Sequence, residues 1–325
     1  MKIRGNEKKG KLITKKRVKV IIIVLCLLLI SGFGIVSYGL GVNIADGLIY
    51  LNEGNDTKDN SRKQLELWGY DIDSFEKQYP VEKITLTAED GNQIPVAFFS
   101  TQDTKDNNTV ILVHGLGGDY VSVYPQAEIY LESGWNVLAL DQRGSGDSTN
   151  QKVSFGYYEK LDIKALVDYV KANTTDKKMV VHGFSMGAAT TGLYAGTEHA
   201  NENVDAVILD SAFDSMESMF LMVFEDMNTG LPGAYAVWCA NMGLRTKYNF
   251  DFDDANIVTA LKNCNVPALV IQSEKDDLST SDMGEALFES ITGSKKEYWL
   301  VDTKHIEACI DYPVQYKERV MNFIN

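Results

Sequence analysis

Met179-Val-Val-His-Gly-Phe-Ser-Met-Gly-Ala-Ala188 is the stretch whose reading decides the fold. A short apolar run ends in Gly183-Phe184-Ser185-Met186-Gly187, and small residues follow. The spacing predicts a buried strand, a very tight turn and then a helix. A serine at the apex of such a turn is pushed clear of the sheet, while the flanking glycines let neighbouring backbone approach closely. Five residues of this pattern also arise by chance, so the rest of the chain has to supply what Ser185 would need.

Outward from this stretch the sequence repeats strand, loop and helix. Val110–Val113, Trp135–Leu140, Val204–Leu209, Ala268–Gln272 and Glu297–Val301 are apolar runs of strand length. Helical spacing fills Tyr124–Glu132, Tyr158–Ala172, Ala188–Gly196, Asp282–Ile291 and Val314–Ile324. Fully apolar strands alternating with helices predict an α/β domain, a mostly parallel sheet covered on both faces. Upstream, Lys83–Ala88 and Gln93–Phe99 flank Glu89-Asp90-Gly91-Asn92 and predict an antiparallel hairpin at the edge. Between about 213 and 263 no strand is predicted. Met216, Met219, Phe220, Met222, Phe224, Tyr235 and Trp238 crowd there instead, as a small helical cap insertion that packs on the core or lines an acyl pocket.

A serine hydroxyl is a poor nucleophile without a base, and the base needs a carboxylate to orient it. The chain has four histidines. His114 opens a glycine-rich loop, His182 lies inside the strand before Ser185, and His199 follows a helix as a solvated residue. His305 remains, after the last strand and before the last helix, and is the expected base. Val270-Ile-Gln-Ser-Glu-Lys-Asp-Asp277 places Asp276 a few residues beyond a strand, as the expected acid, with Asp277 as the alternative. Two backbone N–H groups should hold the developing oxyanion. Met186 follows the nucleophile and supplies one, and Leu116 in His114-Gly-Leu-Gly-Gly118 supplies the other. That loop also resembles half of a phosphate-binding fingerprint, but Tyr120 stands where its third glycine belongs, which argues against a dinucleotide. No zinc spacing or P-loop is found, so neither a metal nor any other cofactor is expected.

The chain from the hairpin to the closing helix resembles the α/β-hydrolases. His114-Gly115, Asp141-Gln-Arg143-Gly-Ser-Gly146, the Gly183–Gly187 elbow, Asp276 and His305 carry the likeness, in the order Ser, Asp, His. It is most similar to membrane-anchored bud-emergence-like hydrolases and to serine-aminopeptidase-like lipases and esterases. Ser279-Thr280 departs from the pattern, standing where many members have a proline. The resemblance implies an α/β-hydrolase fold over 81–325 with the cap near 213–263. It further implies a serine hydrolase acting on a small-molecule or lipid-like acyl substrate through Ser185, His305 and Asp276, with an ion pair at Arg143 that bears structure rather than chemistry. Thioester or peptide hydrolysis would use the same groups. A peptidase would need acidic residues near the cap, and Glu225 and Asp226 are the candidates.

The amino-terminal part has a different character. Residues 1–19 carry nine Lys/Arg against one Glu, and the rest of the chain is strongly acidic within a net charge of −14. An acidic body argues against a nucleic-acid partner. Val20–Val42 is a run of 23 uncharged residues, enough to cross a bilayer as a helix. The basic arm before it predicts a cytoplasmic amino end and an extracytoplasmic body. A cleaved signal peptide is the competing reading, but no clean A-x-A site follows, and an uncleaved anchor is favoured. Residues 43–80 read as a linker with a lead-in helix near Arg62–Tyr70. Three cysteines beyond Cys26 form no complete disulfide framework and are expected as buried thiols.

Overall fold

The computed structural model describes residues 15–100, 107–174 and 177–325. Residues 1–14 of the basic arm lie outside the described residues. In chain order the amino-terminal part holds α1 (Lys15–Ile49), α2 (Thr57–Leu67), α3 (Ile72–Gln78), β1 (Glu82–Thr87) and β2 (Gln93–Phe99). The domain continues with β3 (Thr109–Val113), α4 (Tyr124–Glu132), β4 (Asn136–Leu140), α5 (Glu159–Asn173), β5 (Met179–Phe184), α6 (Met186–Ala195), α7 (Glu198–Asn203) and β6 (Ala206–Asp210). It closes with α8 (Met216–Asp226), α9 (Gly233–Tyr248), α10 (Ile257–Leu261), β7 (Ala268–Ser273), α11 (Ser281–Ser290), β8 (Lys296–Val301), α12 (Ala308–Asp311) and α13 (Pro313–Ile324).

The strands form one sheet in the order β1-β2-β4-β3-β5-β6-β7-β8. β1 and β2 pair antiparallel, β2 joins β4 antiparallel, and every later pairing is parallel. Alternate residues of the central strands enter different cores. Ile111, Val113, Val181 and Leu209 pack with α5, α6 and the insertion on one face. Val110, Leu112, Val180 and Ile208 pack with α4 and α13 on the other. Burial on both faces is why these strands read as continuous apolar runs. β8 departs from that expectation: it is the sheet edge, and most of it is only half-buried.

The amino-terminal helix also differs from its sequence reading. It does not give way to a linker at 43 but runs on to Ile49. Up to Val36 its side chains are exposed, whereas Ser37, Gly41, Ala45 and Ile49 are buried at every fourth position. They face α9, and a Cβ at Gly41 would overlap the Cys239 carbonyl. The Val153 N–H donates to the Ile49 carbonyl at 2.8 Å, fixing the helix end to the domain. The lead-in segment is two short helices, each begun by an aspartate cap, Asp56 and Asp71.

The insertion is narrower than 213–263. It leaves from β6 at the carboxyl edge of the sheet, and a bridge between Ser215 and Asn256 closes its base. α8 and α9 form it. α10 belongs to the sheet layer, because Gly192 of α6 and Gly196 just past its end seat Ile257 and Ala260 directly. Phe220, Phe224 and Phe252 stack into the core, while Val223, Met227, Leu231 and Trp238 stay exposed.

Candidate active site

Ser185 stands between β5 and α6 at φ 52° and ψ −120°, a conformation unusual for a residue with a side chain. The turn is possible because both glycines are needed. A Cβ on Gly183 would run into the Gly187 carbonyl, and one on Gly187 would run into the Val113 carbonyl. The Ser185 N–H donates to the Asp210 carbonyl at 2.9 Å, which ties the apex to β6.

His305 follows β8 and reaches back across the sheet edge. Its Nε2 lies 2.8 Å from Ser185 Oγ, and its Nδ1 lies 2.6 Å from Asp276 Oδ2. A carboxylate only accepts, so Nδ1 carries the donated proton and Nε2 is left to accept from the serine hydroxyl. Asp276 is buried. Its second oxygen accepts the N–H groups of Leu278 and Ser279, both at 2.9 Å, so the carboxylate is fixed on both sides. The neighbouring Asp277 is exposed and lines a groove of about 680 Å³ with Trp68, Lys275, Leu278, His305 and Ile306. Of the two acids, Asp276 is the one that contacts His305. The β7 and β8 loops are tied together by Glu274 N to Val301 O at 2.7 Å and Lys275 N to Thr303 O at 2.9 Å.

The loop after β3 passes over the elbow, and a Cβ on Gly115 would stand 3.2 Å from that of Ser185. His114 is fully buried and works inside the loop. The Gln142 N–H donates to its Nε2 at 3.0 Å, so Nδ1 holds the proton and donates to the Gly115 carbonyl at 2.7 Å. Because a trans peptide points its C=O and N–H in opposite directions, this bond sets the direction of the Leu116 N–H. Met186 opens α6, where a first-turn N–H has no partner within the helix. The loop is braced further by Asn60 Nδ2 on the Gly117 carbonyl at 3.3 Å and Ser61 Oγ under the Asp119 N–H at 2.9 Å. Sequence reasoning missed both α2 residues and Gln142, whose amide also accepts from Thr190 on α6.

A second buried chain lies beneath His305. Tyr130 donates to His182 Nδ1 at 3.0 Å, His182 Nε2 donates to the Tyr316 oxygen at 3.2 Å, and Tyr316 donates to Asp210 Oδ2 at 2.7 Å. Asp210 Oδ1 accepts from Ser211 Oγ at 3.1 Å, and Ser211 Oγ accepts the Ile306 N–H at 3.3 Å. Burial pushes the Asp210 carboxyl up to about 6 and holds the His182 imidazole down to about 3. His182 thus points away from Ser185. His199 is not a freely solvated residue: it sits between Tyr194 and Asp168, at 2.8 and 2.9 Å.

Arg143 holds Asp162 bidentately, at 2.9 and 2.7 Å, and Asp90 at 2.7 Å. This joins the β4 loop to α5 and the hairpin, away from Ser185. Glu225 and Asp226 are exposed at the last turn of α8. A larger cavity of about 960 Å³ lies between α4 and α13, lined by Trp68, Pro125, Trp135 and Val314, and contains none of the groups around Ser185. Size alone therefore does not mark the site; the hydrogen-bond chain does. Among the described residues no cluster of His, Cys, Asp and Glu is suited to a metal ion.

A family model described as alpha/beta hydrolase fold matches residues 108–305. The uncharacterized Bacillus subtilis protein YqkD is 25% identical over 287 residues, covering 88% of this chain and 92% of its own length. The Schizosaccharomyces pombe protein bem46 is 22% identical over 202 residues, 61% of each chain. Among solved structures, the esterase Pf2001 of Pyrococcus furiosus superposes with a TM-score of 0.62 at 22% identity, covering 78% of this chain and 94% of that one. The likeness at that identity is one of fold.

Proposed function

The chain belongs to the alpha/beta hydrolase fold family, and from that premise we propose that it is a membrane-anchored serine hydrolase of carboxylic esters. The observation that carries the reading is the unbroken chain Ser185 Oγ, His305, Asp276, at 2.8 and 2.6 Å. In this account His305 Nε2 takes the Ser185 proton as Oγ attacks the ester carbonyl. Asp276 stabilises the imidazolium that results. The N–H groups of Leu116 and Met186 stabilise the oxyanion of the tetrahedral intermediate. His305 then protonates the departing alkoxide, leaving an acyl-serine. Water, deprotonated by His305, attacks that acyl group, and Ser185 recovers its proton when the acid leaves. No step calls for a cofactor.

An acyl rather than a peptide substrate is supported by the insertion, which is rich in Met and Phe, and by the placement of Glu225 and Asp226 at the exposed end of α8. The anchor reading is supported by one helix long and apolar enough to cross a membrane. The same helix runs unbroken from the apolar stretch into the domain, where Ser37, Gly41, Ala45 and Ile49 pack, so a spanning segment would be joined to the body without a linker. The test compares a series of acyl esters of rising chain length with aminoacyl arylamides. Ester turnover peaking at a defined length supports the reading, and faster arylamide turnover would replace it with a peptidase.

A further inference from the structure

α1 and α9 run in the same direction, and their contacts fix how far each reaches. Phe33 packs on Tyr235 and Trp238, with ring centroids 5.8 and 6.4 Å apart. Ser37 Oγ and the Tyr235 hydroxyl are 2.8 Å apart. Gly41 and Gly243 bring the two backbones into contact, and Lys247 Nζ lies 2.7 Å from the Asp46 carboxylate. Small residues at such a crossing remove the freedom of a tether: α1 and the insertion move as one piece.

That register constrains the bilayer. Val20 to Phe33 is about 20 Å of helix, well short of the roughly 30 Å hydrocarbon core. If α1 spans, the outer boundary must lie beyond Phe33, hence beyond Trp238 at the same level. It must also lie before the Asp46–Lys247 pair, about 20 Å further along the axis, since an ion pair is costly in hydrocarbon. Trp238 is 47% exposed and Phe33 58%, and Leu231 and Met227, in the turn leading into α9, are exposed too. Glu225 and Asp226 are exposed at that end of the insertion, and the cost that keeps the Asp46–Lys247 pair out of hydrocarbon holds their carboxylates at the headgroup level, so the seat is shallow.

We propose that the N-terminal end of α9, with Trp238, Leu231 and Met227, is itself a lipid-contacting surface seated in the outer leaflet beside α1. This rests on the reading of α1 as membrane-embedded. The occupant of the patch is the bilayer, because the patch continues the exposed apolar face of α1 at the same depth. Tyr235 and Trp238 are the amphipathic aromatics that settle at such a boundary. The insertion leaves the sheet beside Ser185, since Asp210 pairs with Phe184, so the seated part is attached to the edge that carries the candidate site.

The experiment uses the full chain reconstituted in phosphatidylcholine vesicles with or without brominated acyl chains, which quench tryptophan on contact. Trp238 is one of four tryptophans. Wild type should lose roughly a quarter of its emission in brominated vesicles, and Trp238→Phe should lose almost none. A polarity-sensitive dye on Leu231→Cys, in a chain that also carries Cys26→Ser so that no other exposed thiol takes the dye, should shift to the blue on reconstitution, which gives a readout independent of Trp238. Cys26, exposed on α1, reports the anchor separately through protection from a membrane-impermeant maleimide. Protected Cys26 with equal quenching in wild type and variant and an unshifted dye would overturn the seated cap and leave the anchor standing. Freely labelled Cys26 would overturn both.

Discussion

Ser211 and Ile306 both hold left-handed backbone, at φ 56°, and meet through one hydrogen bond in which the Ile306 N–H donates to Ser211 Oγ at 3.3 Å. For a β-branched residue that backbone is costly, of order 1–3 kcal/mol, and persists only where its surroundings over-determine it. Ile306 is the neighbour of His305, so the strain sits where the imidazole must be aimed. Asp210 and Tyr316 hold Ser211 in turn.

Ser211→Gly keeps the backbone angle accessible and removes the hydroxyl. Ester turnover should lose about tenfold in kcat with KM nearly unchanged, the equivalent of about 1.4 kcal/mol. An unchanged kcat would mean that the His305 loop holds its own conformation.

Asp276→Asn should lower kcat about ten-thousandfold, because an amide that donates towards Nδ1 favours the wrong imidazole tautomer. Asp277→Asn should stay within about threefold, as expected of an exposed side chain outside the chain of contacts. Steady-state kinetics on the two variants side by side checks the assignment, and the reverse ranking would move the acid to Asp277.

Two buried groups pull the pH dependence of stability in opposite directions. His182 is held from 6.5 down to about 3, so below 6.5 the unfolded chain binds a proton that the folded one refuses, and stability rises with pH across that window. Asp210 is pushed from 3.8 up to about 6, so the folded chain keeps a proton that the unfolded one releases, and stability falls with pH between those values. Asp210→Asn removes the second effect. Urea unfolding at pH 4, 5 and 6 should show a steeper rise of stability with pH in the variant than in wild type. Parallel curves would contradict the assignment.

Arg143→Ala leaves Asp162 buried without its cation. Such a loss typically costs about 3–5 kcal/mol, which denaturant unfolding would register as a lower midpoint. Activity per folded molecule should hold, since Arg143 binds α5 and the hairpin rather than Ser185.

Most of the frame was legible because its signals are local. The strands read as apolar runs since both faces are buried, and the Gly183–Gly187 elbow since no other residue fits either flank. Elimination among four histidines led to His305, which stands against Ser185. The choice between Asp276 and Asp277 depended on which way a loop side chain turns, which one sequence does not encode locally. The predicted span stops at Val42, whereas α1 continues to Ile49, because Ser37, Gly41, Ala45 and Ile49 recur every four residues and form a packed face. The Ser211–Ile306 contact had no such signal, because it arises from backbone angles set by two distant strands.

If Ser185 is an activated nucleophile, a fluorophosphonate probe will label it. The serine oxygen displaces fluoride from phosphorus, and the adduct adds a defined mass to the peptide that carries it. The native full chain should be labelled at Ser185, near one probe per chain, and Ser185→Ala not at all. Equal labelling of Ser185→Ala, or a native chain that stays unlabelled while folded, would contradict that role.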